Sequence, residues 1–282
     1  MLIKNDPSHS VRSSGGQRAR HTCDGVIMPV LTEDARAVAR DHYLLSIAFD
    51  AIDAAPGQFV NIKAGSNADP LLRRPFSIYD RAGSVLEIVV RVVGRGTAWL
   101  SGCRAGADID VLAPLGRGFT LAEDKRALIV GGGVGNAPLQ YLARELRARA
   151  CRVTYLYGAA SGEFVYCEDA FRAASDDFLL TTDDGSAGRR GRITDALAEV
   201  LAERAFDIAY VCGPTPMMRA AAALLAPRDI AFELSVENYF GCGIGVCSGC
   251  SIGTTDGLRR ACVDGPVFDG RAIHWESLEA QS

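Results

Sequence analysis

Four cysteines near the end of the sequence are spaced for metal chemistry: Cys242, Cys247, Cys250 and Cys262 read C-x4-C-x2-C-x11-C. Three cysteines at x4 and x2 intervals with a distant fourth form the plant-type arrangement for a [2Fe–2S] cluster. A tight loop brings three thiolates round such a cluster while its backbone N–H groups point at the sulfurs. Gly241, Gly243, Gly245 and Gly249 suit that loop, because glycine accepts positive φ and close backbone approach. Hydrogen bonds to the sulfurs then help set the potential. A structural zinc site is the competing reading. Zinc ribbons use two C-x2–4-C knuckles, and the second half here supplies a single cysteine. The chemistry on offer is one-electron transfer.

A second set of residues is suited to phosphate. Gly131-Gly132-Gly133-Val134-Gly135-Asn136 follows the predicted strand Ala127–Val130 and precedes Leu139, Leu142, Ala143 and Leu146 at helical spacing. Bare backbone at a helix N-terminus accommodates a pyrophosphate. The spacing is not a regular G-x-G-x-x-G, so a plain tight turn stays open. Cys212-Gly213-Pro214 and Thr181-Thr182-Asp183-Asp184-Gly185-Ser186 end two further predicted strands and face the same edge. Upstream, Arg73-Arg74-Pro75-Phe76-Ser77-Ile78-Tyr79 opens a strand, and Gly94-Arg95-Gly96-Thr97 leads into a short helix, Ala98–Ser101. Arginine grips phosphate bidentately, and Gly96 with Thr97 offers N–H donors to another. A solvated arginine pair and an ordinary helix cap are equally open readings of these two patterns.

The elements that must position these residues fall into a tail and three blocks. Residues 1–22 are polar and read as a disordered tail; 23–121 read as short strands punctuated by Gly and Pro, a small antiparallel β-barrel. Residues 122–233 alternate strand and helix, which implies a doubly wound parallel sheet; 234–282 form a small cysteine- and glycine-rich domain that needs a metal or partner to hold it. The expected fold is thus multi-domain, β followed by α/β. Its 282 residues carry 48% hydrophobic and 23% charged residues with a net charge of −4, the profile of a globular protein and not of a nucleic-acid binder. Nine cysteines cannot pair completely. No apolar run approaches a membrane span of ~18 residues, and no secretory leader is evident, so a cytoplasmic, membrane-free protein is expected.

Taken together, these residues resemble the ferredoxin–NADP reductase superfamily, which joins a flavin-binding barrel to a nicotinamide-binding α/β domain. Arg74-Pro75-Phe76-Ser77 matches its Arg-x-(Tyr/Phe)-Ser flavin motif. Glu237-x-x-Phe240-Gly241-Cys242-Gly243-Ile244-Gly245-Val246-Cys247, then Ala261-Cys262-Val263-Asp264-Gly265-Pro266-Val267-Phe268, resembles the electron-transfer subunits of type B dihydroorotate dehydrogenase. The likeness runs from about Val26 to Trp275 in one consistent order. It departs in Phe240, where that family usually has Met, and in the long polar tail.

The resemblance implies FAD, NAD(H) and a [2Fe–2S] cluster. Arg74 would hold FAD phosphate; Phe76, Ser77 and Ile78 would line the isoalloxazine, with Pro75 also among the cofactor-binding residues; Val92, Gly96 and Thr97 would approach the ribose and phosphates. Gly132, Gly133, Gly135, Asp183, Gly185, Cys212 and Gly213 would face the nicotinamide dinucleotide. The four C-terminal cysteines would bind the cluster. Nicotinamide moves a hydride and the cluster one electron, and a flavin exchanges either, so FAD belongs between them. No residue here is expected to act on the pyrimidine; that chemistry falls to a separate FMN-containing catalytic subunit in a heterotetramer of two plus two. A sister subunit serving a ferredoxin- or sulfur-reducing complex is the alternative, and a zinc-stapled binding module a third. NAD is expected over NADP because Gly158–Glu163 lacks an arginine for a 2′-phosphate and Glu163 would repel one. Cys23, Cys103, Cys151 and Cys167 lack metal spacing and read as small hydrophobes.

Overall fold

Alternation of apolar and polar residues builds the first sheet. In the computed structural model, residues 22, 23, 26, 27, 29–65 and 70–279 are described; apart from Thr22, the expected tail lies outside them. After a short ribbon of β1 (Thr22–Cys23) and β2 (Val26–Ile27) come β3 (Val30–Leu31), β4 (Arg36–Ala39), β5 (His42–Ala48), β6 (Phe59–Ile62), β7 (Arg74–Ala82), β8 (Val85–Arg91) and β9 (Val111–Leu115). They pair antiparallel in the order β3-β5-β8-β7-β6-β9, with β4 alongside β5. The two ends meet where Leu31 N–H donates to Ala107 O (3.0 Å) and Ile109 N–H to Pro29 O (2.8 Å), which curls the sheet into a barrel. Leu45, Ile47, Val60, Ile62, Ile78, Leu86, Ile88 and Val90 point inward at every second position. The strand β4 was not anticipated, because Arg-Ala-Val-Ala carries no apolar alternation.

The second sheet reads differently because it is buried on both faces. Its strands are β10 (Arg126–Gly132), β11 (Arg152–Ala159), β12 (Asp177–Thr182), β13 (Arg189–Arg190), β14 (Ile208–Cys212) and β15 (Ala231–Ser235). The final segment adds a hairpin of β16 (Ser251–Thr254) and β17 (Gly257–Arg260), and then β18 (Val267–Asp269). The sheet order is β13-β12-β11-β10-β14-β15-β18, parallel throughout except that β18 runs antiparallel to β15. Leu128 and Val130 pack on one face with Leu197, Val211 and Met218. Ala127 and Ile129 pack on the other with Leu139, Leu142 and Leu146. The helices are α1 (Arg95–Ser101), which follows β8, α2 (Ala137–Ala148), α3 (Glu168–Ala173), α4 (Ile193–Glu203), α5 (Thr215–Leu225) and α6 (Trp275–Glu279). None of the helices among the described residues is long and apolar enough to cross a membrane. β15 runs through residue 233, and β18 pairs with it from Glu233↔Asp269 to Ser235↔Val267, so the cysteine-bearing segment is tied into the parallel sheet.

Barrel and sheet meet through specific polar contacts. Tyr141 of α2 donates to Ala54 O (2.9 Å), Tyr210 to Thr120 O (2.7 Å), and Arg144 pairs with Asp80 (2.8 Å). At the base of β10, Asp207 accepts from the Arg126 guanidinium and backbone N–H, which holds its carboxyl down at about 2. The contribution of that pair is present above the ordinary Asp value of about 3.9 and drains away as pH falls through about 2. An Asp207→Asn variant is therefore expected to melt earlier than the parent at neutral pH and to converge with it in acid, read from melts across the acid limb.

Candidate functional site

The strand order reverses between β10 and β14, and a crevice opens beyond the carboxyl ends of strands at such a switch. Gly131 sits opposite Cys212 in the pairing of these strands, so the two loops that follow them face each other. They touch through bare backbone. A Cβ on Gly135 would lie 2.6 Å from both Cα and N of Gly213, and one on Gly132 would lie 2.3 Å from Met217 Sδ. Gly133 adopts φ +55°, a left-handed turn that glycine takes at no steric cost. Asn136, fully buried, braces the loop from behind: its Nδ2 donates to Gly133 O (2.9 Å) and its Oδ1 accepts from Tyr155 (3.1 Å). Tyr166 donates to Val134 O (3.2 Å) from the same side. Asp183 and Gly185 lie exposed at the end of β12, on the same edge of the sheet.

The barrel contributes an anion-ready patch. A Cβ on Gly96 would lie 2.5 Å from Arg74 Nε, so the arginine lies directly across the start of α1. Thr97 Oγ1 accepts from Val93 N–H (3.0 Å) and Gly94 N–H (3.1 Å), which shapes the turn, and Val92 N–H is bonded to Asp41 O (2.7 Å). The two adjacent arginines have different environments. Arg73 is tied to Asp110 (2.7 Å) and to the carbonyls of Asp110 and Asn61. Arg74 bonds only its neighbour Leu72 O and has no carboxylate partner among the described residues. Pro75, Phe76 and Ser77 are half-buried on the same strand, whereas Ile78 is fully buried in the barrel core. Ile78 is therefore not brought to the groove.

The cysteine loop is built for thiolates. Cys247 N–H donates to Cys242 Sγ (3.4 Å) and Cys262 N–H to Cys250 Sγ (3.4 Å). N–H groups of Cys247, Ile244 and Val246 converge on Cys242 and pull its thiol down to about 6. Burial, then Cys250, pushes the Cys262 thiol up. Gly243 (φ +75°) and Gly245 (φ +82°) supply the left-handed turns that aim these donors. Among the described residues no three Cys, His, Asp or Glu side chains close on a single ion. The thiols stand instead as two pairs, Cys242 with Cys247 and Cys250 with Cys262, which suits a group with two irons, each taking two thiolates, better than one zinc. The donor set and the convergent N–H groups fit a [2Fe–2S] cluster.

Three residues in or beside the groove had no assigned role in the sequence reading. Asn136 and Tyr166 brace the glycine loop through side chains that no spacing rule reveals. Glu237, open at the surface, has its carboxyl pushed up by surrounding protein against the pull of Arg91, and its charge helps raise the Cys212 thiol, which burial already holds protonated. Burial thus disfavours the Cys212 thiolate, the nucleophilic form. Glu163 also differs from expectation. Its carboxylate pairs with Arg40 (2.7 Å) and its carbonyl accepts the Arg40 N–H (2.9 Å), so its charge also serves the contact with the barrel. The nearby Arg172 is held by Glu168. Asp183 and Asp184 lie exposed beyond the end of β12.

Comparison with known proteins agrees with this geometry. Residues 237–274 match the model of the iron-sulfur cluster binding domain of dihydroorotate dehydrogenase B, and residues 129–223 that of the oxidoreductase NAD-binding domain. The chain is 38% identical over 239 residues to a protein of Desulforamulus reducens named dihydroorotate dehydrogenase B (NAD(+)), electron transfer subunit, covering 81% of this chain and 91% of that one. A protein of the same name from Geobacillus kaustophilus is 42% identical over 221 residues, covering 76% and 84%. Among solved structures, a chain described under flavin-based electron bifurcation by an NADH-dependent reduced ferredoxin-NADP oxidoreductase superposes with TM-score 0.81 at 32% identity, covering 92% of this chain and 94% of that one.

Proposed function

This chain belongs to the family of dihydroorotate dehydrogenase B electron transfer subunits, and on that premise we propose that it carries electrons between NAD(H) and a separate FMN-containing subunit that interconverts dihydroorotate and orotate, a step of pyrimidine biosynthesis. The observation that carries the reading is convergence: β7, with its Arg-Pro-Phe-Ser run, pairs with β6, and β6 lies against the cysteine loop, where Asn61 Nδ2 donates to Cys242 O (3.4 Å). When bound, FAD exchanges two electrons with nicotinamide and single electrons with a [2Fe–2S] cluster.

In this reading each residue has a modest task. Arg74 and the N–H groups at Gly96 and Thr97 hold FAD phosphates, while Pro75, Phe76 and Ser77 flank the isoalloxazine. Gly132, Gly133, Gly135 and Gly213 admit the dinucleotide to bare backbone, and Asp183 and Gly185 border its far end. Cys212, neutral and buried, bounds the crevice floor. Cys242, Cys247, Cys250 and Cys262 hold the cluster. Ile244, Val246, Leu258 and Val263 stand exposed beside the loop, a patch suited to a docked protein. The FMN subunit is that partner, in a heterotetramer of two plus two in the cytoplasm. The division into 23–121, 122–233 and 234–282 follows the same three tasks, with the last boundary moved past β15, which ends at Ser235.

The paired arginines separate binding from folding. Arg74→Ala is expected to retain the melting temperature of the apoprotein and to hold FAD about 10- to 100-fold more weakly, the loss of one charged hydrogen-bond partner worth about 1.5–3 kcal/mol. Arg73→Ala is expected to lower the melting temperature, because Asp110 loses its partner. Fluorimetric FAD titration with melting of both variants checks this.

The function itself is tested by pull-down from the native source. An FMN protein that co-elutes, with orotate-dependent NADH oxidation only in the complex, supports the assignment, and absence of both would sink it. A ferredoxin-reducing partner in its place would favour the second reading, to which the solved chain at 32% identity lends weight.

A further inference from the structure

All four residues of β6 are buried, although only every second one faces the barrel interior. Val60 and Ile62 fill the barrel core. Phe59 and Asn61 point outward, where a barrel strand ordinarily meets water. Here they meet the cysteine segment: Phe59 lies 4.9 Å from Phe240 between ring centroids, and Asn61 reaches the Cys242–Gly243 backbone. Asn61 is completely buried, its Nδ2 donates to Cys242 O (3.4 Å), and it fills the space where a Cβ on Gly243 would stand, 2.4 Å from that nitrogen. Its Oδ1 has no partner among the described residues. A buried acceptor left unmatched is unfavourable, so an apolar residue would serve the packing of this position better.

We propose that Asn61 is a positioning residue for the cluster: from the flavin-bearing barrel it fixes the Cys242–Gly243 turn and thereby sets the cluster's reduction potential. The physical route has two parts. The amide opposes the negative end of the Cys242 carbonyl dipole. It also holds Gly243 in the left-handed turn that leads to Cys247, whose N–H donates to Cys242 Sγ (3.4 Å). Donors to the sulfurs favour the reduced, more negative cluster, so loss of the anchor lowers the potential. The inference rests on the cluster assignment of the preceding section.

The test uses the full chain with its cofactors, purified anaerobically and titrated with EPR detection, alongside Asn61→Ser and Asn61→Asp. The serine is too short to reach Cys242 O, and the aspartate adds charge in its place. Both variants are expected to keep FAD and its reduction by NADH. Their cluster midpoints are expected to fall by at least a tenfold shift in the one-electron equilibrium, about 59 mV, with aspartate shifted further and the EPR g-values altered. Loss of the cluster with FAD retained also supports the anchoring role. Unchanged midpoints and g-values, or loss of FAD from both variants, would overturn it. Absence of any [2Fe–2S] signal in the parent protein would instead sink the cluster assignment, so the two failures are distinguishable.

Discussion

Replacing Cys247 by serine is expected to leave a flavoprotein that NADH still reduces and that no longer passes electrons onward. The choice of cysteine follows from burial. Cys247 is exposed, whereas Cys250 and Cys262 are 1% and 2% exposed and pack with Phe240, Ile252 and Ala261. Serine at 250 or 262 would place a hydroxyl in that core and confuse a lost ligand with a lost fold. Serine at 247 keeps the backbone N–H that donates to Cys242 Sγ and removes one thiolate of four. Orotate-linked NADH oxidation in the complex is expected to fall about 100-fold or more, equivalent to about 2.7 kcal/mol of barrier. Iron and acid-labile sulfide should be lost, while single-turnover reduction of FAD by NADH stays as in the parent. Undiminished orotate-linked transfer would refute the relay order, since electrons would then bypass the cysteine loop. One zinc per chain without sulfide in the parent protein would remove the premise altogether.

The parts legible from sequence were those whose chemistry is local. Cysteine spacing is local, and so is the change of rhythm from period two in Leu86, Ile88 and Val90 to buried runs such as Ala127–Val130. The glycine loop announced itself because strand, glycines and helix are consecutive. What stayed hidden depends on contacts distant in sequence. Arg73 and Arg74 are indistinguishable as letters, and only Asp110, across the barrel, separates a structural arginine from an available one. Glu163 reads by position as a selectivity residue, and its pairing with Arg40, 123 positions away, leaves no mark in the local sequence. Ile78, next after the flavin motif, is fully buried in the barrel core, a placement that contacts distant in sequence decide. The tie between β15 and β18 was invisible for the same reason: three-residue strands such as Val267–Asp269 carry too little pattern to read.

The crevice between β10 and β14 yields the other large effect. Gly135→Ala adds one methyl group at a point where the two loops are already in contact. Its nearest neighbours would be Gly213 Cα and N at 2.6 Å and the Cys212 carbonyl carbon at 2.8 Å, all backbone. No rotamer can move out of the way, so the loops themselves must part. Overpacking of this kind costs about 1–3 kcal/mol of stability. The larger consequence is for hydride transfer, because a displacement near 1 Å at a positioning element costs about 100-fold in rate. Stopped-flow reduction of FAD by NADH is expected to show kcat/KM lowered by about that factor, with FAD content intact because Arg74 and Gly96 lie on the barrel. Gly102→Ala is the control: the added carbon would meet only Trp99 O at 3.6 Å and Ala98 O at 3.9 Å, ordinary contact, and its φ of −95° suits any residue, so NADH kinetics should be unchanged. Normal kinetics in Gly135→Ala would mean that nicotinamide does not enter between these strands, whatever the cysteine loop does. The same variant with intact FAD and slow reduction would place the two-electron exchange at the strand switch, separate from the one-electron exchange at Cys242–Cys262.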